Sequence, residues 1–110
     1  MPTSELVIAR AVRITVRAVS GVADVSPGLF AETATYGPGE TVRGVAVSRV
    51  AGGLDLEVHV IAVYADSVVL QELADRVRTA VRQAVEALGA EAVRRIDVVI
   101  DDLYIDEDRA

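Results

Sequence analysis

The chain has 110 residues, 52% of them hydrophobic and 25% charged, which is the size and composition of one soluble globular domain. No stretch approaches the roughly 18 uninterrupted apolar residues that a membrane span needs, and Glu5, Arg10 and Arg13 interrupt the place where a signal peptide would be apolar. We therefore expect a cytoplasmic protein. The absence of cysteine excludes disulfides, thiol catalysis and cysteine-ligated zinc, and the net charge of −6 argues against nucleic-acid and anionic-membrane surfaces.

Residues 5–20 carry an apolar pattern that fits either a helix or a strand. As a strand, the alternating β-branched residues would share one face, whereas a helix would carry a core stripe opposite Arg10, Arg13 and Arg17. Ser4 before the segment, Gly21 after it and a length of about sixteen residues favour the helix. The predicted stripe is Ile8, Ala9, Val12, Val16 and Val19, flanked by Val7, Ala11, Ile14 and Ala18. This apolar arc is wider than one core needs, so it indicates a partner.

A short strand and a turn-rich loop follow the first helix. Val22–Val25 predicts the strand, which Pro27 and Gly28 end. Residues 26–41 mix small and polar side chains and predict a surface loop or a short irregular hairpin. Within them, Pro38-Gly39 suits the two central positions of a type II turn.

Residues 42–50 and 54–64 predict two strands, joined by Ala51-Gly52-Gly53 in a connection short enough for a hairpin. One face of the second strand is apolar throughout and predicts core, namely Leu54, Leu56, Val58, Val60, Ala62 and Tyr64. The opposite face begins polar and ends apolar, with Asp55, Glu57, His59, Ile61 and Val63 in turn. We therefore expect something to cover half of that face.

Residues 67–89 show the most regular pattern, because their apolar residues recur at the spacing of a single helix face. Asp66 or Ser67 is the predicted N-cap, and Gly89 the residue just past the end. Residues 94–105 then predict a last strand with Ile96, Val98 and Ile100 facing inward. Its register is expected to slip after Asp101-Asp102, because Leu103 and Ile105 have the opposite parity.

These elements predict an α+β fold with two layers, a small mixed β-sheet carrying two helices on one face in the order α-β-β-β-α-β. A right-handed crossover is expected if the last strand lies parallel to the one before the long helix. We expect one domain over residues 1–110, with its core in residues 5–105 and a short acidic tail at residues 106–110.

No group of residues in the sequence predicts a catalytic, cofactor or metal site. His59 is the only histidine, with Asp55, Glu57 and Ile61 on the same strand face, but the chain has no cysteine and no local motif, such as two histidines one helical turn apart, that would complete a catalytic or metal site. The carboxylates between Asp97 and Asp108 lack the spacing and the internal glycine of a calcium loop. The candidate functional residues are therefore interaction residues on the first helix and on the back of the sheet: Val7, Arg10, Arg13, Ile14, Arg17, Ile61 and Val63.

A family resemblance extends over residues 6–105 and lies in the order and spacing of several short matches. These are Ile8-Ala9 with Ala11 or Ala18, the step Val19-Ser20-Gly21-Val22, the strand Leu54-Glu57-Val58-Val60-Tyr64, the helix residues Val77, Val81, Val85 and Leu88-Gly89, and then Val93 with Ile96, Val98, Ile100 and Leu103. In this order the chain resembles the alkaline shock protein 23 family of bacterial envelope stress response proteins, which includes the YloU-like branch.

The resemblance implies a non-enzymatic cytoplasmic scaffold or adaptor that needs no cofactor. It also implies that the protein self-associates and lies near the membrane by binding a membrane-anchor protein, without inserting into the membrane itself.

Two alternatives remain open from the residues. One is a small RNA-binding module that uses the arginine face of the first helix, although the net charge has the wrong sign for nucleic acid. The other is an enzyme or ligand-binding domain that uses His59 and nearby carboxylates.

Overall fold

The computed structural model describes residues 3–26, 33–65 and 68–105. They form two helices and six strands: α1 (Glu5–Arg17), β1 (Val22–Val25), β2 (Ala34–Gly37), β3 (Glu40–Arg43), β4 (Val45–Val50), β5 (Gly53–Val63), α2 (Leu70–Ala87) and β6 (Val93–Tyr104). The predicted α+β class is confirmed, with two more strands than the sequence predicts. The acidic tail and residues 27–32 lie outside the described residues.

The main sheet is built around β5. Strands β4 and β1 lie end to end along one edge of β5, both antiparallel to it, and β6 pairs with the other edge in parallel. The sheet is therefore mixed, as predicted. Where β4 and β1 meet, the backbone of His59 bridges them: its N–H donates to the Gly44 carbonyl at 2.9 Å and its carbonyl accepts from Ser26 N at 2.8 Å.

Both helices pack on one face of this sheet. The predicted helix at the N-terminus is confirmed, and Ser4 caps it by accepting a hydrogen bond from Val7 N at 3.1 Å. Its buried residues are Ile8, Ala9, Val12 and Val16, and those of α2 are Leu73, Ala74, Val77, Val81 and Val85. They close over the alternate β5 residues Leu54, Leu56, Val58, Val60 and Ala62 to form the core.

The strand predicted for residues 42–50 is two strands, which is a correction to the sequence interpretation. The chain breaks at Gly44, whose φ of +86° lies in the left-handed region that side-chain-bearing residues rarely adopt. A Cβ there would lie 2.1 Å from Val25 Cγ1, so the backbone itself packs against β1. Residues 40–43 instead pair with β2 in a hairpin around Pro38-Gly39, and φ of +71° at Gly39 agrees with the predicted type II turn.

The ends of the last three elements also differ slightly from prediction. Helix α2 begins at Leu70 with Val69 as an N-cap that makes no side-chain hydrogen bond, so the predicted cap is wrong; Asp66 and Ser67 lie outside the described residues. Strand β5 ends at Val63, so Tyr64 is exposed instead of lying in the core. The predicted register slip in β6 is confirmed: Val60 pairs with Ile100 and Ile61 pairs with Asp102, which leaves Asp101 as the extra residue of a bulge.

Candidate interaction surfaces

The outer face of α1 carries five of the predicted interaction residues. Ile14 is 67% exposed and Val7 39% exposed, so both apolar side chains lie outside the core that the rest of the helix fills. The arginines on this side are Arg10, Arg13 and Arg17, and all three are exposed. The wide apolar arc predicted for this helix is therefore present as accessible surface.

Two of these arginines are engaged within the chain. Arg10 makes a bidentate pair with Glu40 of β3, at 3.1 Å from Nε and 2.5 Å from Nη2, and this hydrogen bonding lowers the pKa of Glu40. Arg17 Nε lies 3.3 Å from Asp24 Oδ1. These carboxylates offset much of the positive charge along α1, which gives the RNA-binding alternative no support.

The other two predicted residues, Ile61 and Val63, lie on the sheet face that the helices do not cover. Both are half-buried and alternate with the buried core residues of β5. The structure thus separates the predicted residues into two groups on opposite sides of the molecule, α1 on one side and the back of the sheet on the other. Of the seven, Val63 alone reaches the apolar surface described next.

That surface lies at the end of the sheet, where β5 and β6 finish and α2 begins. We call it the sheet-end cluster; its exposed side chains are Tyr64, Val69, Leu70, Leu103, Tyr104 and Ile105. Three of them, Tyr64, Leu70 and Leu103, line an open cleft of about 160 Å³ together with Val63, Ala65 and Val68. The only sequence signal for it was the changed parity of Leu103 and Ile105, since parallel pairing brings together residues about forty positions apart.

His59 lies in a polar cluster on the back of the sheet. Its Nδ1 is 2.9 Å from Asp101 Oδ2 and its Nε2 is 3.0 Å from Glu57 Oε2. The Thr33 hydroxyl lies 3.1 Å from the same Nε2 and donates to Glu57 Oε2 at 3.4 Å. Sequence reasoning placed Glu57 on the same strand face as His59 but missed Asp101, because the bulge in β6 brings Asp101 beside β5.

Each ring nitrogen of His59 faces a carboxylate oxygen, which can only accept a hydrogen bond. Both nitrogens can donate at the same time only when the imidazole is protonated. Burial of the ring is the largest single influence and lowers its pKa, but the hydrogen bonds and charges of Asp101 and Glu57 together outweigh it and raise the pKa above its ordinary value. With both nitrogens engaged, His59 ties β5 to β6 and has no free nitrogen to offer a substrate.

The described part of the chain lacks two kinds of feature. Among residues 3–26, 33–65 and 68–105, no group of three or more histidine and acidic side chains is arranged to hold a metal ion. Over the same ranges, neither helix has the length and hydropathy of a membrane span.

Solved structures of MamM-CTD share this fold. One matches with a TM-score of 0.57 at 10% sequence identity, covering 90% of this chain and 99% of that chain. A variant MamM CTD matches with a TM-score of 0.57 at 9% identity, covering 96% of this chain and 99% of that one. At such low identity the likeness concerns the fold alone.

No curated protein matches the chain. The model of the alkaline shock protein 23 family, described by its cell envelope-related function, matches residues 1–105. This match spans both helices and all six strands, including the sheet-end cluster up to Ile105. The chain therefore belongs to the alkaline shock protein 23 family.

Proposed function

We propose that the protein is a non-enzymatic scaffold or adaptor of the bacterial cell envelope stress response. It self-associates in the cytoplasm and is held at the membrane by a membrane-anchored protein partner. The observation that carries this proposal is the sheet-end cluster, a group of exposed apolar side chains around the end of the sheet, three of which line a cleft, in a chain whose family has a cell envelope-related function. Large exposed apolar patches usually mark interfaces.

The composition of the cluster suits a protein partner. Tyr64 and Tyr104 are 57% and 53% exposed and combine a large apolar ring with a hydroxyl, the kind of side chain that is enriched at interface centres. Leu70 and Leu103 line the cleft between the strand ends and the helix start, where a partner's apolar side chain can insert. The anchor partner is therefore expected to present an exposed aliphatic or aromatic residue.

The charge of the chain favours a protein over the lipid surface as the binding partner. The net charge is −6, and anionic lipid surfaces attract clusters of basic residues. The most basic stripe, on α1, is largely paired with Glu40 and Asp24. Membrane association through a partner accounts for a cell-envelope role without a basic lipid-binding patch.

Co-sedimentation with membrane vesicles tests the proposal. The purified chain is mixed with vesicles from the cells that make it, with the same vesicles after protease treatment, and with vesicles made only from their extracted lipids. We expect sedimentation with the untreated vesicles alone. Equal binding to the lipid vesicles would contradict a protein anchor, and no binding to untreated vesicles would contradict the adaptor role.

A further inference from the structure

The outer edge of β6 is the longest strand edge that has no strand partner within residues 3–26, 33–65 and 68–105. The strand has 12 residues, and β5 pairs with only one of its edges. Two arginines of α2 reach this region, where Arg82 Nη1 donates to the Val93 carbonyl at 3.2 Å and Arg78 Nε to the Ile96 carbonyl at 3.4 Å. An open edge of this kind is a template for pairing with another chain.

The register identifies which backbone groups face outward. His59 bonds to the β4 and β1 side, so alternate residues of β5 such as Leu56, Val58 and Val60 direct their backbone groups to β6. Residues of a parallel pair bond to the neighbours of their Cα partners, as Leu54 N does in donating to Ala92 O at 2.9 Å. The Cα partners themselves, Ile96, Val98 and Ile100, therefore point their N–H and C=O groups to the open edge.

The charges of β6 are arranged symmetrically about Val98. Arg94 and Arg95 precede it by four and three positions, and Asp101 and Asp102 follow it by three and four. If a second copy of β6 pairs antiparallel with Val98 opposite Val98, Arg94 lies opposite Asp102 and Arg95 opposite Asp101. Opposite charges directly across two strands stabilise the pairing, whereas a parallel arrangement in register would place like charges side by side.

The same antiparallel register also satisfies the outward backbone groups. It places Ile96 opposite Ile100 of the second copy and Val98 opposite Val98. The N–H and C=O groups on the open edge of one copy therefore face those on the open edge of the other. In an antiparallel sheet such facing residues exchange both of their hydrogen bonds. The backbone pattern excludes registers shifted by one residue, and the charge pattern selects this register among those that remain.

The exposed side chains make Arg94 and Asp102 the main charged pair. Both are exposed, whereas the Asp101 side chain is only 7% exposed and bound to His59, and Arg95 pairs with Asp97 at 3.0 Å. By symmetry the Arg94–Asp102 pair forms twice, once at each end of the interface. On dimerisation, a backbone N–H of the second copy takes the place of the Arg78 side chain as the donor to the Ile96 carbonyl.

The geometry points to a twofold-symmetric dimer of this chain, formed by antiparallel pairing of the two β6 edges around Val98. This inference rests on the self-association in the proposed function and names the surface that produces it. This register sets the bulge at Asp101-Asp102 of each copy against the irregular Arg94-Arg95 stretch of the other, so residues 96–100 pair regularly and both irregularities lie at the charged ends of the interface. Other registers would place these irregularities within the regular pairing.

Sedimentation equilibrium of charge-reversed variants tests the register. Arg94→Asp and Asp102→Arg each create two like-charge pairs in their own dimer, and we expect each to weaken dimerisation by about tenfold or more. A mixture of the two variants, however, has complementary charges at both ends, so we expect it to form a heterodimer of wild-type affinity. The double variant Arg94→Asp/Asp102→Arg should also dimerise as the wild type does, and it decides the question if a single variant does not fold.

The control is Arg13→Asp, which makes the same charge change on the outer face of α1. If Arg94→Asp still dimerises, or if the mixed variants do not associate, the β6 dimer is wrong, while self-association of the wild type would still support the proposed function. Loss of dimer in Arg13→Asp alone would assign the contact to α1. A monomeric wild type at all concentrations would overturn both the β6 dimer and the self-association, and leave the anchor binding to the vesicle experiment. A dimer whose strength does not change with any of these charges would instead indicate another surface.

Discussion

At the scale of single residues, the fold holds two features that a sequence does not display. His59 is engaged at both ring nitrogens by carboxylates, one of them 42 positions later in the chain. Gly44 lets β4 and β1 meet end to end beside β5, because Val25 and Ser26 occupy the space where a side chain at position 44 would lie. Each feature makes a prediction about stability.

We expect the free energy of unfolding to fall as the pH rises from about 6.5 through the raised pKa of His59. The folded pKa lies above the unfolded one, so the stabilisation is complete below the unfolded value and is lost as the folded imidazole deprotonates. Urea unfolding at a series of pH values measures this slope, and His59→Gln should remove it. As His59 is the only histidine, NMR can follow its titration directly, and Asp101→Asn should lower the midpoint. An unchanged midpoint in Asp101→Asn would refute the role given to that carboxylate.

We expect Gly44→Ala to destabilise the protein by about 3 kcal/mol or more, because the new Cβ is strained at positive φ and meets Val25 Cγ1 and Ser26 O. The matched control is Gly39→Ala, which also has positive φ but no atom within 4 Å of the new Cβ. It should cost only about 1 kcal/mol. Chemical unfolding compares the two, and equal losses would show that the close packing at Gly44 contributes nothing.

At the scale of elements, the two helices differ in what they leave exposed. Helix α2 buries Val77 and Val81 completely, and its Arg76 and Arg82 donate to the carbonyls of Ser20 and Val93. Helix α1 buries one stripe just as fully but leaves Ile14 67% exposed. Helix α1 therefore exposes apolar surface along its outer face, whereas α2 exposes it at its ends, at Leu70 of the sheet-end cluster and at Leu88.

A charged substitution at Val77 or Val81 should unfold the domain, whereas one at Ile14 or Ile61, which lie outside the buried core, should leave it folded. Ile14 gives the clearest contrast. We expect Val81→Asp to cost more than about 4 kcal/mol, as an unpaired charge in the core does, and Ile14→Asp about 0.5 kcal/mol. Thermal melts and light scattering of the two variants make the comparison. An Ile14→Asp protein that unfolds as Val81→Asp does would contradict the assignment of Ile14 to the surface.

The elements also show what the sequence can and cannot predict. Periodicity identified α2 and the core face of β5, because one buried face imposes a regular spacing on local sequence. For α1 the periodicity was ambiguous, and Ser4, Gly21 and the length of the segment decided for a helix. The parity change after Asp101 even revealed the bulge in β6. The break at Gly44, the sheet-end cluster and the open edge of β6 depend instead on which strands become neighbours. That information is tertiary, and the changed parity of Leu103 and Ile105 was the only local signal for any of it.

At the scale of the whole molecule, both helices cover one sheet face, and the surfaces proposed for contacts lie around the sheet at its open edge and at its end. The β6 edge suits a second copy of the chain, because its backbone and charge patterns are complementary to themselves. The sheet-end cluster is apolar and suits the anchor partner. Self-association and anchoring can therefore occur together, since they use different surfaces.

The vesicle assay with two matched tyrosine variants tests the central claim most directly, namely that the sheet-end cluster binds the membrane-anchored partner. Tyr104→Glu places a charge in the cluster, while Tyr36→Glu makes the same change on β2, where Tyr36 is 67% exposed. We predict that Tyr104→Glu binds untreated vesicles at least about tenfold more weakly, as loss of an aromatic anchor at an interface does, and that Tyr36→Glu binds as the wild type does. Undiminished binding of a folded Tyr104→Glu protein would contradict the account.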